Sequence, residues 1–141
     1  MNRIRSFEDL EVWALGRTIR KELYRLANRL PKQEEYNLAQ QIRTASVSLT
    51  ANIAEGYGRF HFKENVQFCR IARGSAYELQ DHLVTCRDLG YLDEGGHAHL
   101  HALLVRFARL LNGYIRSIGK SLLSTGSGDT TAVPSRMTTD A

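Results

Sequence analysis

The fold is decided by the stretch from Arg43 to Leu79, which contains the segments RTASVSLTANIAEGYGR (43–59) and FCRIARGSAYEL (68–79). In both segments apolar residues recur every three or four positions, which is typical of a helix with one buried face. Small and polar residues lie among the apolar ones, and Gly56 and Gly58 separate the two segments. The pattern predicts two amphipathic helices that meet at a glycine corner and pack closely against their neighbours.

A helix is predicted on each side of this pair. The first begins after Ser6, which with Asp9 has the spacing of a capping box at a helix start. Its apolar row runs from Val12 to Leu30, and Pro31 ends it. We therefore expect the first helix over about 7–30.

The ends of the later helices are marked by glycine and aspartate. Gly56 is expected to close the second helix as a left-handed cap, and Gly90 to close the third, which begins near Phe62. Asp93 is a candidate cap for the fourth helix, whose row is the most apolar in the chain and fades near Leu122.

Composition is that of a soluble protein with one domain. The chain has 141 residues, of which 43% are hydrophobic and 24% charged, so it can bury a core without a disulfide or a metal. Cys69 and Cys86 match no disulfide framework or zinc signature. The N-terminus has no secretory signal and no segment is apolar enough to cross a bilayer, so we expect a cytoplasmic protein without membrane association.

These elements predict an all-α fold, an up-down-up-down antiparallel four-helix bundle over residues 1–123. Residues 124–141 are rich in Ser, Thr and Gly without periodicity, which predicts a flexible C-terminal tail. Helices two and three carry second apolar rows, and a lone bundle cannot bury both faces of a helix. Self-association through these rows is therefore expected. They consist of Val47, Ala51 and Ala54 on helix two and Phe68, Ile71 and Tyr77 on helix three.

Four motifs in order resemble those of a family of small bacterial four-helix-bundle proteins, often encoded within intervening sequences of the 23S rRNA gene. They are FEDLEVW (7–13), NIAEGYGR (52–59), Phe68 with ARGS (72–75) and Glu78-Leu79, and LGYL (89–92). Thr44 and Thr50 depart from the pattern, since the family usually has Arg and Pro there. The resemblance covers about residues 6–120 and implies a homopentamer arranged as a barrel around a central channel. The related accessory proteins of diversity-generating retroelements bind nucleic acid and a reverse transcriptase through a positive surface.

A row of basic residues on the first helix is the best functional candidate. The row, called here the α1 cations, consists of Arg17, Arg20, Lys21, Arg25 and Arg29. Trp13 and Tyr24 flank it, and cations interleaved with aromatic residues suit a phosphate backbone with its bases. The alternative is a solvated helix face, diluted by Glu11 and Glu22 on the same side.

Other charged groups have simpler explanations. Arg106, Arg109, Arg116 and Lys120 form a second basic surface on helix four, where complementation of the helix dipole accounts for the last two. Five polar residues beside the apolar rows are expected to be structural or interfacial, with a Glu55–Arg73 pair fixing the register of helices two and three. The five are Asn52, Glu55, Arg73, Ser75 and Glu78.

Catalysis and metal binding have weak signals. Ser48 and Ser75 have no His at a helical spacing that would activate them. His97 and His101 could share a zinc ion, but without Cys or a well-placed carboxylate we expect surface histidines, no metal and no cofactor. The sequence therefore favours a non-enzymatic homo-oligomer that binds RNA, DNA or a nucleoprotein. The alternative is a protein-interaction scaffold or adaptor with no nucleic-acid role.

Overall fold

The computed structural model describes residues 3–124, and it consists of four α-helices joined by short links. The helices are α1 (Glu11–Arg29), α2 (Leu38–Tyr57), α3 (Phe62–Asp88) and α4 (Glu94–Ser124). No strand occurs within residues 3–124, so the all-α prediction is confirmed. The predicted tail lies outside the described residues except for Ser124.

The capping box before α1 is present, but it caps a separate turn. The Ser6 amide donates to Asp9 Oδ2 at 3.2 Å, and the Glu8 amide donates to Ser6 Oγ at 3.1 Å. These bonds close a single 3₁₀ turn over Phe7–Asp9, and Leu10 is extended with ψ 127°. Because Leu10 interrupts the helical backbone, α1 begins at Glu11 and not near residue 7.

The link between α1 and α2 is tied to the link between α3 and α4. Leu30 is extended, with ψ 153°, as expected of a residue before proline, so α1 stops ahead of Pro31. The buried carboxylate of Glu34 accepts a hydrogen bond from Tyr91 Oη at 2.9 Å. This bond joins two links that are 57 positions apart in sequence.

The predicted left-handed cap at Gly56 is wrong. Gly56 lies inside α2, and within residues 3–124 the only residue with positive φ is Gly90. Gly56 is required by packing instead, because an added Cβ would lie 2.7 Å from Asn65 Oδ1 and 3.0 Å from Phe68 Cβ. The glycine therefore permits close approach of α2 and α3 just before the corner.

The other predicted ends are confirmed. Gly90 follows α3 with a φ of 78°, a conformation that glycine adopts at no steric cost. Asp93 Oδ1 accepts from the Gly96 amide at 2.6 Å, which caps the first turn of α4.

One core fills the space among the four helices. Each helix contacts the next along the chain, and α1 also contacts α4. The apolar rows predicted from periodicity supply the core residues. The largest fully buried side chains are Tyr114, Phe107, Leu10, Ile19, Leu23, Leu26, Ile42, Leu49, Ile53, Leu79, Leu83 and Leu104.

The second apolar rows remain largely uncovered within the chain. Val47 is 41% exposed, Ile71 47% and Tyr77 57%. Gly74 lies between the last two on α3, and a Cβ built there meets no heavy atom within 4 Å. Gly74 therefore permits no close helix approach among residues 3–124, and this face of α3 is open there.

No helix within residues 3–124 combines the length and the hydropathy needed to cross a bilayer.

We predict that Gly56→Ala destabilises the chain by about 2 kcal/mol, because the added methyl overlaps Asn65 and the packed core has little room to relax. Urea unfolding followed by circular dichroism measures the change.

The matched control is Gly119→Ala in α4, where an added Cβ meets nothing within 4 Å. That variant should be neutral or gain up to about 1 kcal/mol from helix propensity. Equal unfolding midpoints for the two variants would contradict the close approach at Gly56.

Candidate nucleic-acid interface

The α1 cations lie on the side of α1 that faces away from the core, but they are not all equivalent. Arg17, Lys21, Arg25 and Arg29 are exposed, whereas Arg20 is half-buried. The half-buried member is held by α2, because Arg20 Nη1 donates to Thr50 Oγ1 at 2.7 Å. Thr50 Oγ1 in turn donates to the Val47 carbonyl at 3.3 Å. One cation of the row is therefore fixed against the neighbouring helix.

Arg20 also lines an open groove of about 430 Å³ between α1 and α2. The α1–α2 groove is lined by Arg20, Lys21, Tyr24, Arg25 and Val47. It therefore gathers three of the α1 cations, while Arg17 and Arg29 lie outside its lining. Arg29 and Arg25 border a smaller depression on the α4 side, together with Glu22 and His99.

The acidic residues on α1 form no ion pair with the row. Glu22 Oε1 lies 2.8 Å from His99 Nε2, and Glu11 Oε2 lies 3.7 Å from Arg106 Nη2. Both partners belong to α4, so these carboxylates are directed away from the α1–α2 groove. Among residues 3–124, none of Arg17, Lys21, Arg25 and Arg29 takes part in an ion pair. Glu22 nevertheless borders the same depression as Arg25 and Arg29, so its charge still lies beside two of the cations.

The groove contains apolar surface as well as charge. Tyr24 is 38% exposed and Val47 is 41% exposed. Tyr24 follows Arg20 and Lys21 by four and three positions, so all three share one side of α1. Val47 approaches from α2, on the second apolar row predicted for that helix. Cationic groups and partly exposed apolar groups therefore meet in one place.

Two of the five polar residues assigned to structure or interface lie together between α2 and α3. The hydroxyls of Ser48 and Ser75 are 2.7 Å apart and share a hydrogen bond. Asn52 Nδ2 donates to Ser48 Oγ at 2.7 Å and to the Ser48 carbonyl at 3.0 Å. Asn52 and Ser75 are thus linked through Ser48, a residue that the sequence suggested only as an unactivated hydroxyl.

The predicted Glu55–Arg73 pair is wrong. Glu55 Oε2 pairs with Arg59 Nη2 at 2.9 Å within the glycine corner, and Arg73 Nη1 donates to Asn112 Oδ1 of α4 at 2.9 Å. Glu55 is exposed on α2 and Arg73 lies on the α4 side of α3, so the two do not meet. Glu78, the remaining member of the set, contacts His82 Nε2 at 2.9 Å on its own helix.

His97 of α4 is buried, whereas the sequence predicted surface histidines at this position and at His101. His97 is only 9% exposed, and its ring stacks on His101 with centroids 5.7 Å apart. Its Nδ1 lies 3.4 Å from Arg87 Nη1. Among the described residues, no three His, Cys, Asp or Glu side chains converge as a metal site.

The cysteines are buried thiols. Burial raises the pKa of Cys69 to about 12, against a smaller lowering effect of Arg73. Burial, with a contribution from the Glu34 carboxylate, raises the pKa of Cys86 to about 11. The thiolate is the nucleophilic form, so neither side chain is activated for covalent chemistry at neutral pH.

Comparison with known proteins identifies the family. The family model described as 23S rRNA-intervening sequence protein matches residues 8–113. The chain belongs to this family. The match spans α1, α2, α3 and most of α4, and it confirms the resemblance inferred from the four sequence motifs. No curated protein matches the chain.

Sequence reasoning missed two residues that shape this family member's groove. Thr50 holds Arg20, and Val47 forms part of the lining. Thr50 was notable only as a departure from the family pattern, and Val47 only as part of a second apolar row. Neither signal pointed to a contact with α1.

We predict that Cys69 and Cys86 alkylate at least about 100-fold more slowly in the native chain than in urea, because burial and a raised pKa both limit the thiolate. Iodoacetamide labelling followed by mass spectrometry measures both rates.

The same raised pKa values set a pH dependence. The protonated thiols contribute stability fully below the ordinary thiol pKa of 9.0, and this contribution is lost as the pH rises towards about 11 and 12. Alkylation of Cys69 and Cys86 at the same rate in the native chain as in urea would contradict the burial of both thiols.

Proposed function

We propose that this chain is a non-enzymatic cytoplasmic protein that assembles as a homopentamer and binds RNA or DNA, or a nucleoprotein, through the α1 cations. The observation that carries this proposal is the direction of the acidic residues on α1. Glu11 and Glu22 are engaged by α4, which leaves the outward cations without carboxylate partners in the described chain. Unneutralised Lys and Arg side chains are what a phosphate backbone requires.

The family description, 23S rRNA-intervening sequence protein, suggests an RNA-related context. The net charge of +4 agrees with an anionic partner. In a closed ring, five copies of the row would add their electrostatic fields and strengthen attraction to a polyanion.

The proposed architecture is an up-down-up-down bundle that closes into a ring. Short links between successive helices, and contacts of each helix with its neighbours in the chain, support the antiparallel bundle. The open face of α3 supports self-association, because Ile71, Gly74 and Tyr77 recur there every three residues. The number five rests on the family resemblance.

A role without catalysis is supported by the state of the candidate nucleophiles. Ser48 and Ser75 hydrogen-bond to each other, and both cysteine thiols have a raised pKa. These groups contribute to packing between helices, which is a sufficient physical reason for their positions.

The second candidate function is a protein-interaction scaffold or adaptor. It is favoured by exposed apolar side chains beyond the α3 face, namely Tyr36 at 89% exposed and Phe60 at 71% exposed in the links. A scaffold of this kind would assemble but would show no dependence on the α1 cations.

We predict that the triple variant Arg17→Gln, Lys21→Gln, Arg25→Gln binds nucleic acid more weakly and with less salt dependence. Each lost phosphate contact should reduce the slope of log K against log salt by about 0.7 to 0.9, so the triple variant should lose about 2 to 3. Fluorescence anisotropy with a labelled RNA strand and a labelled DNA duplex at several salt concentrations measures the slope.

The matched control removes the same charge from another surface, as Arg109→Gln, Arg116→Gln, Lys120→Gln on α4. It should keep most of the wild-type slope. Identical titrations for wild type and the α1 triple variant would exclude the α1 cations as the binding surface, and binding by none of the proteins would favour the scaffold.

We predict that the wild-type chain sediments as five copies at micromolar concentration and that Ile71→Glu with Tyr77→Glu lowers this mass. Both side chains are more than a third exposed in the single chain, so charge is tolerated there unless another subunit covers them. Sedimentation velocity measures the mass, and circular dichroism checks that the helices remain.

Tyr36→Glu is the control, since Tyr36 is 89% exposed in the α1–α2 link and away from the α3 face. It should leave the assembly unchanged. A wild-type chain that sediments as a single copy would overturn the ring.

A further inference from the structure

We propose that the α1–α2 groove holds an unpaired base of a single-stranded nucleic acid against the ring of Tyr24, with Lys21 and Arg25 on the adjoining phosphates. This inference rests on the proposed function and adds the class of nucleic acid. It excludes the duplex as the preferred ligand.

The first argument for a bound base is the lining of the groove. Tyr24 and Val47 present apolar surface from two different helices, 38% and 41% exposed, and cations border them on α1. A nucleobase is a flat apolar group attached to an anionic backbone, so it matches this combination.

A duplex matches the groove poorly. Its bases are stacked inside and its surface is lined with phosphates, so the apolar pair Tyr24 and Val47 would face charged oxygens. A single strand turns its bases outward, and stacking on an aromatic side chain is the usual way in which proteins bind it. The cations alone would suit either ligand, and the exposed ring between them selects the single strand.

Arg20 pre-organises the same place. Its guanidinium is held by Thr50 Oγ1 at 2.7 Å, on the side of α1 that carries Tyr24. A planar donor that is already fixed in the same groove loses little entropy when a base or phosphate arrives. This is a positioning role, and it explains why the half-buried member of the α1 cations belongs to the groove.

The test compares Tyr24→Leu with wild type by fluorescence anisotropy on four labelled probes of about 12 nucleotides, within the span of known single-strand sites. The probes are oligouridine RNA, oligothymidine DNA, a blunt DNA duplex and an abasic DNA strand. Leucine keeps an apolar side chain of similar reach, and Tyr24 is exposed, so the fold should be retained.

We expect Tyr24→Leu to weaken binding of the two base-carrying single strands about tenfold, which is the size of one base–aromatic stack. The duplex and the abasic strand should change less than about twofold, since they offer no base to the ring. Tyr24→Phe keeps the ring and should restore wild-type affinity. Tyr36→Leu removes an exposed tyrosine from a different part of the chain and should have no effect.

The RNA and DNA arms separate the two sources of a single strand. Tighter binding of oligouridine than of oligothymidine would mean that the groove prefers RNA. Equal binding would mean that it accepts single strands of RNA and of DNA alike. Both outcomes support the inference.

Two results would overturn it. An equal loss on the single strands and the duplex, or no loss on any probe, would mean that Tyr24 does not stack a base. If either of these results were found and the α1 charge variant still weakened binding of all probes, the proposed function would remain while the base groove failed. If wild type bound none of the probes, both would fail.

Discussion

Close approach of α2 and α3 at Gly56 is the constraint on which the other packing depends. The space that a Cβ would need is taken by Asn65 and Phe68. Asn65 is fully buried, and its amide donates to Tyr114 Oη on α4 at 3.3 Å. It also accepts a weak bond from Cys69 Sγ at 3.7 Å. A buried amide without partners would be costly, so this contact fixes α2, α3 and α4 relative to one another.

The position of α1 follows from the same framework. Its apolar row fills the remaining side of the core, and Arg20 is attached to Thr50 of α2. Two side-chain contacts on the other side, Glu22 with His99 and Glu11 with Arg106, join α1 to α4. The contacts are partly exposed and each contributes little to stability. Both carboxylates are held on the α4 side of α1, outside the lining of the α1–α2 groove.

What is left on the outside has two different characters. Within residues 3–124, the α1–α2 side combines cations that form no ion pair with a tyrosine and a valine, whereas the outer face of α3 carries Ile71, Gly74 and Tyr77 without a covering element. The first suits a charged polymer with flat apolar groups. The second suits another copy of the chain. The α3 face shares no residue with the lining of the groove, whereas Val47 belongs both to that lining and to the second apolar row of α2.

Local signals predicted the helices well. The stop at Pro31, the turn at Gly90 and the cap at Asp93 depend on residues a few positions apart, so the sequence by itself determined them. The spacing of the α1 cations was equally visible, because helical periodicity is a property of one segment.

Contacts between helices were decided only by the tertiary structure. Periodicity places a residue on one side of its own helix but says nothing about the rotation and register of the next helix. For that reason Arg73 meets Asn112 and not Glu55, and Gly56 serves packing and not a turn. For the same reason the α1–α2 groove could not be predicted from the sequence, because Tyr24 and Val47 approach each other only when α1 and α2 are packed side by side.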